Sequence, residues 1–200
     1  MLKRSMTVLG LAFLLTACGL QLRGTGTMQM ALTELNFAAR DALSPLAQEV
    51  KESLADNRVQ VSGNAPFTLY LGPEETSQRT ASFTAGTRSA EYTLTTAASY
   101  ELRAGNLPAL ITDRIEVQRT YAHNQNNITG SGQEAALLRD EMRRDLTLQL
   151  MMRLQAMSPA QLQDLQEQAQ RKAQAEIEAR EAAIRAQQFD EPQQSPIVLP

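Results

Sequence analysis

The 200-residue chain holds one cysteine, Cys18, and one histidine, His123. A single thiol permits neither a disulfide framework nor a cysteine-rich metal site. A catalytic base needs an orienting partner and a nucleophile within reach, and the polar run around His123 shows no such pattern. Ser131 lies between Gly130 and Gly132, but this is not the G-x-S-x-G elbow that presents a nucleophile on a strained turn. Gly24-Thr25-Gly26 lacks the third glycine and the preceding strand of a phosphate cradle. The sequence therefore predicts no enzyme, no cofactor and no metal site.

Cys18 itself stands in a pattern with chemical meaning. Lys3 and Arg4 form a positive start, and an apolar run follows from Val8 to Leu15. That run is far short of the roughly 20 residues needed to span a bilayer, so it reads as a secretion signal. Leu15-Thr16-Ala17-Cys18 looks like a bacterial lipobox: leucine, two small residues, cysteine. Cleavage before Cys18 would free its amine to carry one acyl chain, while its thiol carries diacylglycerol, three chains in all. Each buried methylene contributes about 0.8 kcal/mol, so three chains anchor firmly where one is reversible. The bland alternative is a secreted protein with an incidental cysteine after its cleavage site.

The elements that follow are legible by period. Met28 to Leu35 alternates loosely and predicts a first strand, with Asn36–Asp41 as a connection. Ser44-Pro45 is an N-cap and N1 pair, and Leu46, Val50 and Leu54 recur every four residues, predicting a helix over 45–56. The period then becomes two. Val59 and Val61 alternate, as do Phe67, Leu69 and Leu71; residues 76–84 read as a more polar strand. A hairpin tip follows at Ala85-Gly86-Thr87. The clearest run places Ala90, Tyr92, Leu94, Ala98, Tyr100 and Leu102 on one parity against polar residues on the other. Ile111, Ile115, Val117 and Tyr121 mark a returning strand. His123–Gly132 reads as a polar loop. Leu138, Met142, Leu146, Leu150 and Leu154 predict a second helix from about Gln133 to Met157. Ser158-Pro159 starts a third, whose apolar stripe is thin.

These elements predict an α+β fold: a mostly antiparallel sheet of four or five strands packed against two helices, with a C-terminal helical extension. The expected divisions are a signal at 1–17, a lipidated α+β domain at 18–157, a helical extension at 158–189 and a disordered tail at 190–200. Removing the leader takes away Lys3 and Arg4, so the formal charge of −3 becomes −5. A mildly acidic chain is a poor partner for nucleic acid, which is bound through basic patches. With 4% aromatic residues and no Trp, the core must be aliphatic.

Cys18-Gly19-Leu20-Gln21-Leu22-Arg23-Gly24 resembles the Cys-Gly-aromatic-x-Leu-Arg-Gly start of the LptE family of LPS-assembly lipoproteins, with Leu20 in the aromatic position. Ser89-Ala90-Glu91-Tyr92 after a hairpin tip, and the element order over 28–157, are similar to that family as well. The resemblance covers about Cys18 to Met157 and implies two helices on a four-stranded sheet at the inner leaflet of the outer membrane. It implies a one-to-one complex with the β-barrel protein LptD, which the chain would plug and help assemble. It also implies binding of lipopolysaccharide and no catalysis. Gly19 is compatible with sorting to the outer membrane.

Lipopolysaccharide carries phosphates, for which arginine is the natural ligand. Family members place basic residues around the hairpin tip and before the second helix; here Arg79 and Arg88 flank the tip, and the loop 124–133 carries neither Lys nor Arg. Arg88, helped by Arg79, is the expected phosphate contact. Arg139, Arg143 and Arg144 fall on the polar side of the second helix and read as a solvated face. A reading from another class is an auxiliary lipoprotein of an envelope phospholipid or solute transport system. A third is a structural lipoprotein self-assembling through its last helix, which the thin stripe disfavours.

Overall fold

The computed structural model describes residues 31–83, 89–124 and 128–190. Its elements run β1 (Glu34–Ala39), α1 (Pro45–Asp56), β2 (Gln60–Val61), β3 (Phe67–Phe83), β4 (Ser89–Ala104), β5 (Ile111–Asn124), α2 (Ile128–Gln155) and α3 (Pro159–Asp190). The leader, Cys18, the hairpin tip with Arg88, and the last ten residues lie outside the described residues.

Helix α1 forms where its caps require. Ser44 is extended, and its Oγ accepts from the Ala47 N–H at 3.3 Å, with Pro45 in the first turn. At the other end Arg58 adopts φ 60°. Its N–H donates to the Ala55 carbonyl at 2.9 Å while the Val59 N–H reaches the Leu54 carbonyl at 3.0 Å. That pair of bonds is a Schellman closure, with arginine in the left-handed position glycine usually takes. Leu46, Ala47, Val50 and Leu54 are buried, as their spacing predicts.

The sheet order is β2-β1-β3-β4-β5. Strands β3, β4 and β5 form an antiparallel meander, while β1 runs parallel to both β2 and β3, so the sheet is mixed although mostly antiparallel. Helices α1 and α2 cover one face. There Leu35, Leu69, Leu71, Leu94, Leu102 and Ile115 meet Leu46, Val50 and Leu54 of α1 and Met142, Leu146, Leu150 and Leu154 of α2. Each such buried side chain contributes about 1.5–3 kcal/mol from burial alone.

Several boundaries differ from the periodic reading. The first described strand is Glu34–Ala39, running past the expected end at Leu35 because Asn36–Ala39 pair with Thr68–Leu71 of β3, while residues 28–30 of the expected strand lie outside the described residues. Residues 67–71 and 76–83, expected as two runs, belong to a single strand that passes through a register shift between Leu71 and Glu74, and Thr84 lies outside the described residues. Gly72 and Pro73 occupy that shift: proline cannot donate to a ladder, and a bulge is where it is tolerated. A Cβ on Gly72 would collide with Ser99 Oγ and lie 3.1 Å from the Ser99 carbonyl oxygen, so any side chain here would force the Ser99 hydroxyl to turn away and the two strands to shift. The expected loop 123–132 is mostly absorbed, since β5 continues to Asn124 and α2 begins at Ile128. Burial of Ser131 and Ala135 ties this glycine-bearing turn down; tertiary packing overrides propensity.

Candidate interaction surface

Pairing across β3, β4 and β5 sorts every side chain onto one of two faces, because residues directly opposite in a ladder share a face. Arg79 stands opposite Thr93, which stands opposite Thr120. The next row inward is Ser77, Thr95 and Gln118, and the one after is Glu75, Ala97 and Glu116. This is the face turned away from the helices. Apart from Ala97 and Ala122 its rows are polar, in keeping with the alternation in β4.

Its charges are arranged in pairs. Arg114 donates to Glu75 at 2.8 Å and lies 3.8 Å from Glu116. Arg103 donates through Nε to Glu101 at 2.8 Å and stacks over the Tyr70 ring at 5.3 Å. Arg79, exposed, has no hydrogen bond or ion pair among the described residues. Among the described residues it is thus the arginine of this face whose charge no carboxylate neutralises, and its row offers two threonine hydroxyls. Glu91, which accepts from Ser82 Oγ at 2.9 Å, lies on the same face nearer the tip and tempers that positive field. Arg88 lies outside the described residues, so the expected Arg79–Arg88 grouping rests on sequence order.

The helix-covered face carries charges of another kind. Arg143 of α2 donates to Glu74 at 3.2 Å and to Asp140 at 3.0 Å, with Arg143 and Glu74 only 18% and 17% exposed. Burial works against the Arg143 charge, but the bonds to Glu74 and Asp140 outweigh it and hold its pKa above the ordinary value. Arg119 pairs with Asp145, and Arg153 with Asp113. The Arg153 pKa is also raised, first by its bond with Tyr100 and then, against burial, by Asp113. These three pairs pin α2 across the sheet. Arg143 is therefore no member of a solvated face, a correction to the helical-wheel reading: its partner Glu74 is 69 residues away in sequence, which no local pattern reveals. Arg144 is exposed and Arg139 half-buried.

Ser131 is buried in the first turns of α2, and the His123 backbone pairs with Ala90. Among the described residues no group of three or more His, Cys, Asp or Glu could hold a metal ion, and no helix is long and apolar enough to cross a membrane. The surface presents charge pairs, hydroxyls and strand edges, which suit contact with a large partner better than enclosure of a small substrate.

Comparison with known proteins gives this surface a context. The sequence model of the LptE family, described as lipopolysaccharide-assembly, matches residues 30–154. The chain is 28% identical over 165 residues to the LPS-assembly lipoprotein LptE of Yersinia pestis (strain Pestoides F), covering 80% of this chain and 79% of that relative. The same figures hold for the LPS-assembly lipoprotein LptE of Yersinia pseudotuberculosis serotype O:1b. Among solved structures, the rare lipoprotein B of Shewanella oneidensis shares 26% identity with a TM-score of 0.53, over 60% of this chain and 93% of that one. A lipoprotein B of Nitrosomonas europaea, 16% identical with a TM-score of 0.59, covers 73% of this chain and 96% of that one and shows the shared fold.

Proposed function

The chain belongs to the LptE family of lipopolysaccharide-assembly proteins, and from that membership we propose how it acts. It is an LPS-assembly lipoprotein, working within the lipopolysaccharide transport system. The observation that carries this is the family match across the whole α+β body, from before β1 to the last turn of α2. Membership does not favour the auxiliary phospholipid or solute transport reading.

The finer reading has three parts. Cys18 carries the acyl chains and holds the chain on the periplasmic face of the outer membrane, as its lipobox and the following Gly19 suggest. The body sits one-to-one with the LptD β-barrel as plug and assembly partner, and performs no catalysis. The polar sheet face supports this part: a barrel lumen is itself polar, and a face of paired charges and hydroxyls loses little by entering it. Arg79 and Arg88 supply charge-assisted bonds to lipopolysaccharide phosphates at the hairpin end.

The test is a pull-down of a tagged copy from outer membranes in mild detergent, with the partners weighed. A single large β-barrel protein recovered one-to-one is the expected result. Transporter subunits without a barrel would sink the proposal. Replacing Cys18 by Ala should release the chain from membranes in a high-salt wash. Arg79→Glu with Arg88→Glu should weaken lipopolysaccharide binding in the purified protein; unchanged binding removes both arginines from the site.

A further inference from the structure

The sheet has two long open sides, and the fold treats them differently. On one side β5 is the outermost strand. Arginines take its outward carbonyls: Arg153 donates to that of Arg114 at 3.2 Å, and Arg119 to that of Gln118 at 3.1 Å. Asp113 and Asp145 hold the two guanidinium groups in place. An edge capped by charge in this way resists an added strand. On the other side β1 lies beside β3 only as far as Leu71, whose carbonyl accepts the Arg40 N–H at 2.9 Å. β3 runs on to Phe83, and among the described residues no strand pairs with that side of it.

The register shows which backbone groups are free there. Leu71 turns its carbonyl toward β1. From Leu71 to Glu74, β3 takes three steps while β4 takes two, from Tyr100 to Ala98. Glu74, Thr76, Gln78 and Thr80 therefore continue the outward alternation of Leu71, each turning an N–H and a C=O away from β4. They span about 20 Å at 3.4 Å per residue. Residues 75–82 are exposed, and no side chain among the described residues caps these groups as the arginines cap β5.

We propose that an extended polar segment of the barrel partner pairs with β3 over Glu74–Thr80 and lengthens the sheet in the place that β1 leaves empty. The inference rests on the reading that a β-barrel protein is the partner. Main-chain bonds along the edge supply the attachment, as in other strand additions. The slot is polar on both faces: Glu75, Ser77 and Arg79 line one, and Thr76, Gln78 and Thr80 the other. A loop folded into a polar lumen matches that, whereas a strand of the barrel wall is apolar on its lipid side. A second copy does not fit. Pairing β3 antiparallel with its own copy over 74–80 would bring the copy's Phe83 against Leu71, where Arg40 already sits.

Hydrogen exchange read at single residues by mass spectrometry tests this, comparing the lipidated chain alone in detergent with its barrel complex. The expected result is exchange at least tenfold slower in the complex at Thr76, Gln78 and Thr80. Ser77 and Arg79, whose N–H groups face β4, should change less. Gln78→Pro removes one outward N–H without touching the β4 ladder, and should abolish the added protection at Thr76 and Thr80 while the urea midpoint holds. A complex that contains the barrel but leaves these three residues unchanged, or slows 75–80 uniformly, overturns the added strand and leaves the partnership standing. Absence of a barrel overturns the partnership and the strand with it. Slowing of the same three residues in the isolated chain as its concentration rises would assign the slot to a second copy and overturn the proposal.

Discussion

Glu74 and Glu75 are neighbours in sequence and opposites in the fold. Glu74 faces α2 and takes Arg143 with both partners more than four-fifths covered. Glu75 faces away from the helices and takes Arg114 with the two side chains 49% and 58% exposed. The groups are the same, and the separations, 3.2 and 2.8 Å, would rank the exposed pair as the better one. Surroundings reverse that ranking. Water and salt screen the outer pair almost completely. The inner pair sits where charges are costly to leave alone, so losing one partner strands the other. One face of the sheet is held together by burial, and the other is kept available for contact.

The contrast can be broken in graded steps, followed by urea unfolding of the purified chain. Leu146→Ala, deep between α2 and the sheet, should cost about 2–5 kcal/mol through lost burial and the cavity left behind. Glu74→Ala should cost about 1–3 kcal/mol, because Arg143 keeps only Asp140 in a half-dry site. Arg114→Ala should change stability by no more than about 0.5 kcal/mol. An Arg114→Ala cost equal to that of Glu74→Ala would show that the two faces do not differ as described.

The smallest effect has the opposite sign. Glu49 on α1 has its pKa raised by burial, although Arg143 and Arg144 pull it down. A native carboxyl that holds its proton longer than in the unfolded chain favours folding at low pH. That stability is lost as pH rises from the ordinary value of 4.5 through the higher native one. Glu49→Gln should therefore flatten the fall in stability across that window and leave the protein equal or slightly more stable at pH 7. A steeper fall in the variant would contradict the sign.

The two faces also differed in how visible they were beforehand. Alternation in β4 put Ala90, Tyr92, Leu94, Ala98, Tyr100 and Leu102 on the packed side; the last four are buried and Tyr92 is half-buried. It could not mark Ala97, fully buried on the polar face, because side chains of the flanking strands close over a small residue in a central strand. Nor could it mark Thr96, buried on the helix face beside Thr76, with Oγ1 atoms 3.4 Å apart. The arginines were the least legible. Arg79 could be chosen from its place beside the tip, but its lack of a carboxylate follows only from which strands lie alongside it.

By itself the sequence determined the period of most elements and some of their ends: the Ser44-Pro45 cap, the four-residue spacing of α2 and the break at Ser158-Pro159. It also carried the Cys18 motif and the family likeness. Such signals are local, set by bonds and contacts within a few residues, and they survive without knowledge of the partner element. Tertiary structure alone decided that β1 lies parallel beside β3, that the strand bends at Gly72-Pro73, and that Arg143 turns inward to Glu74. Each of these joins groups far apart in the chain. Their energies depend on burial and on what else is present, quantities that exist only once the sheet and helices have come together.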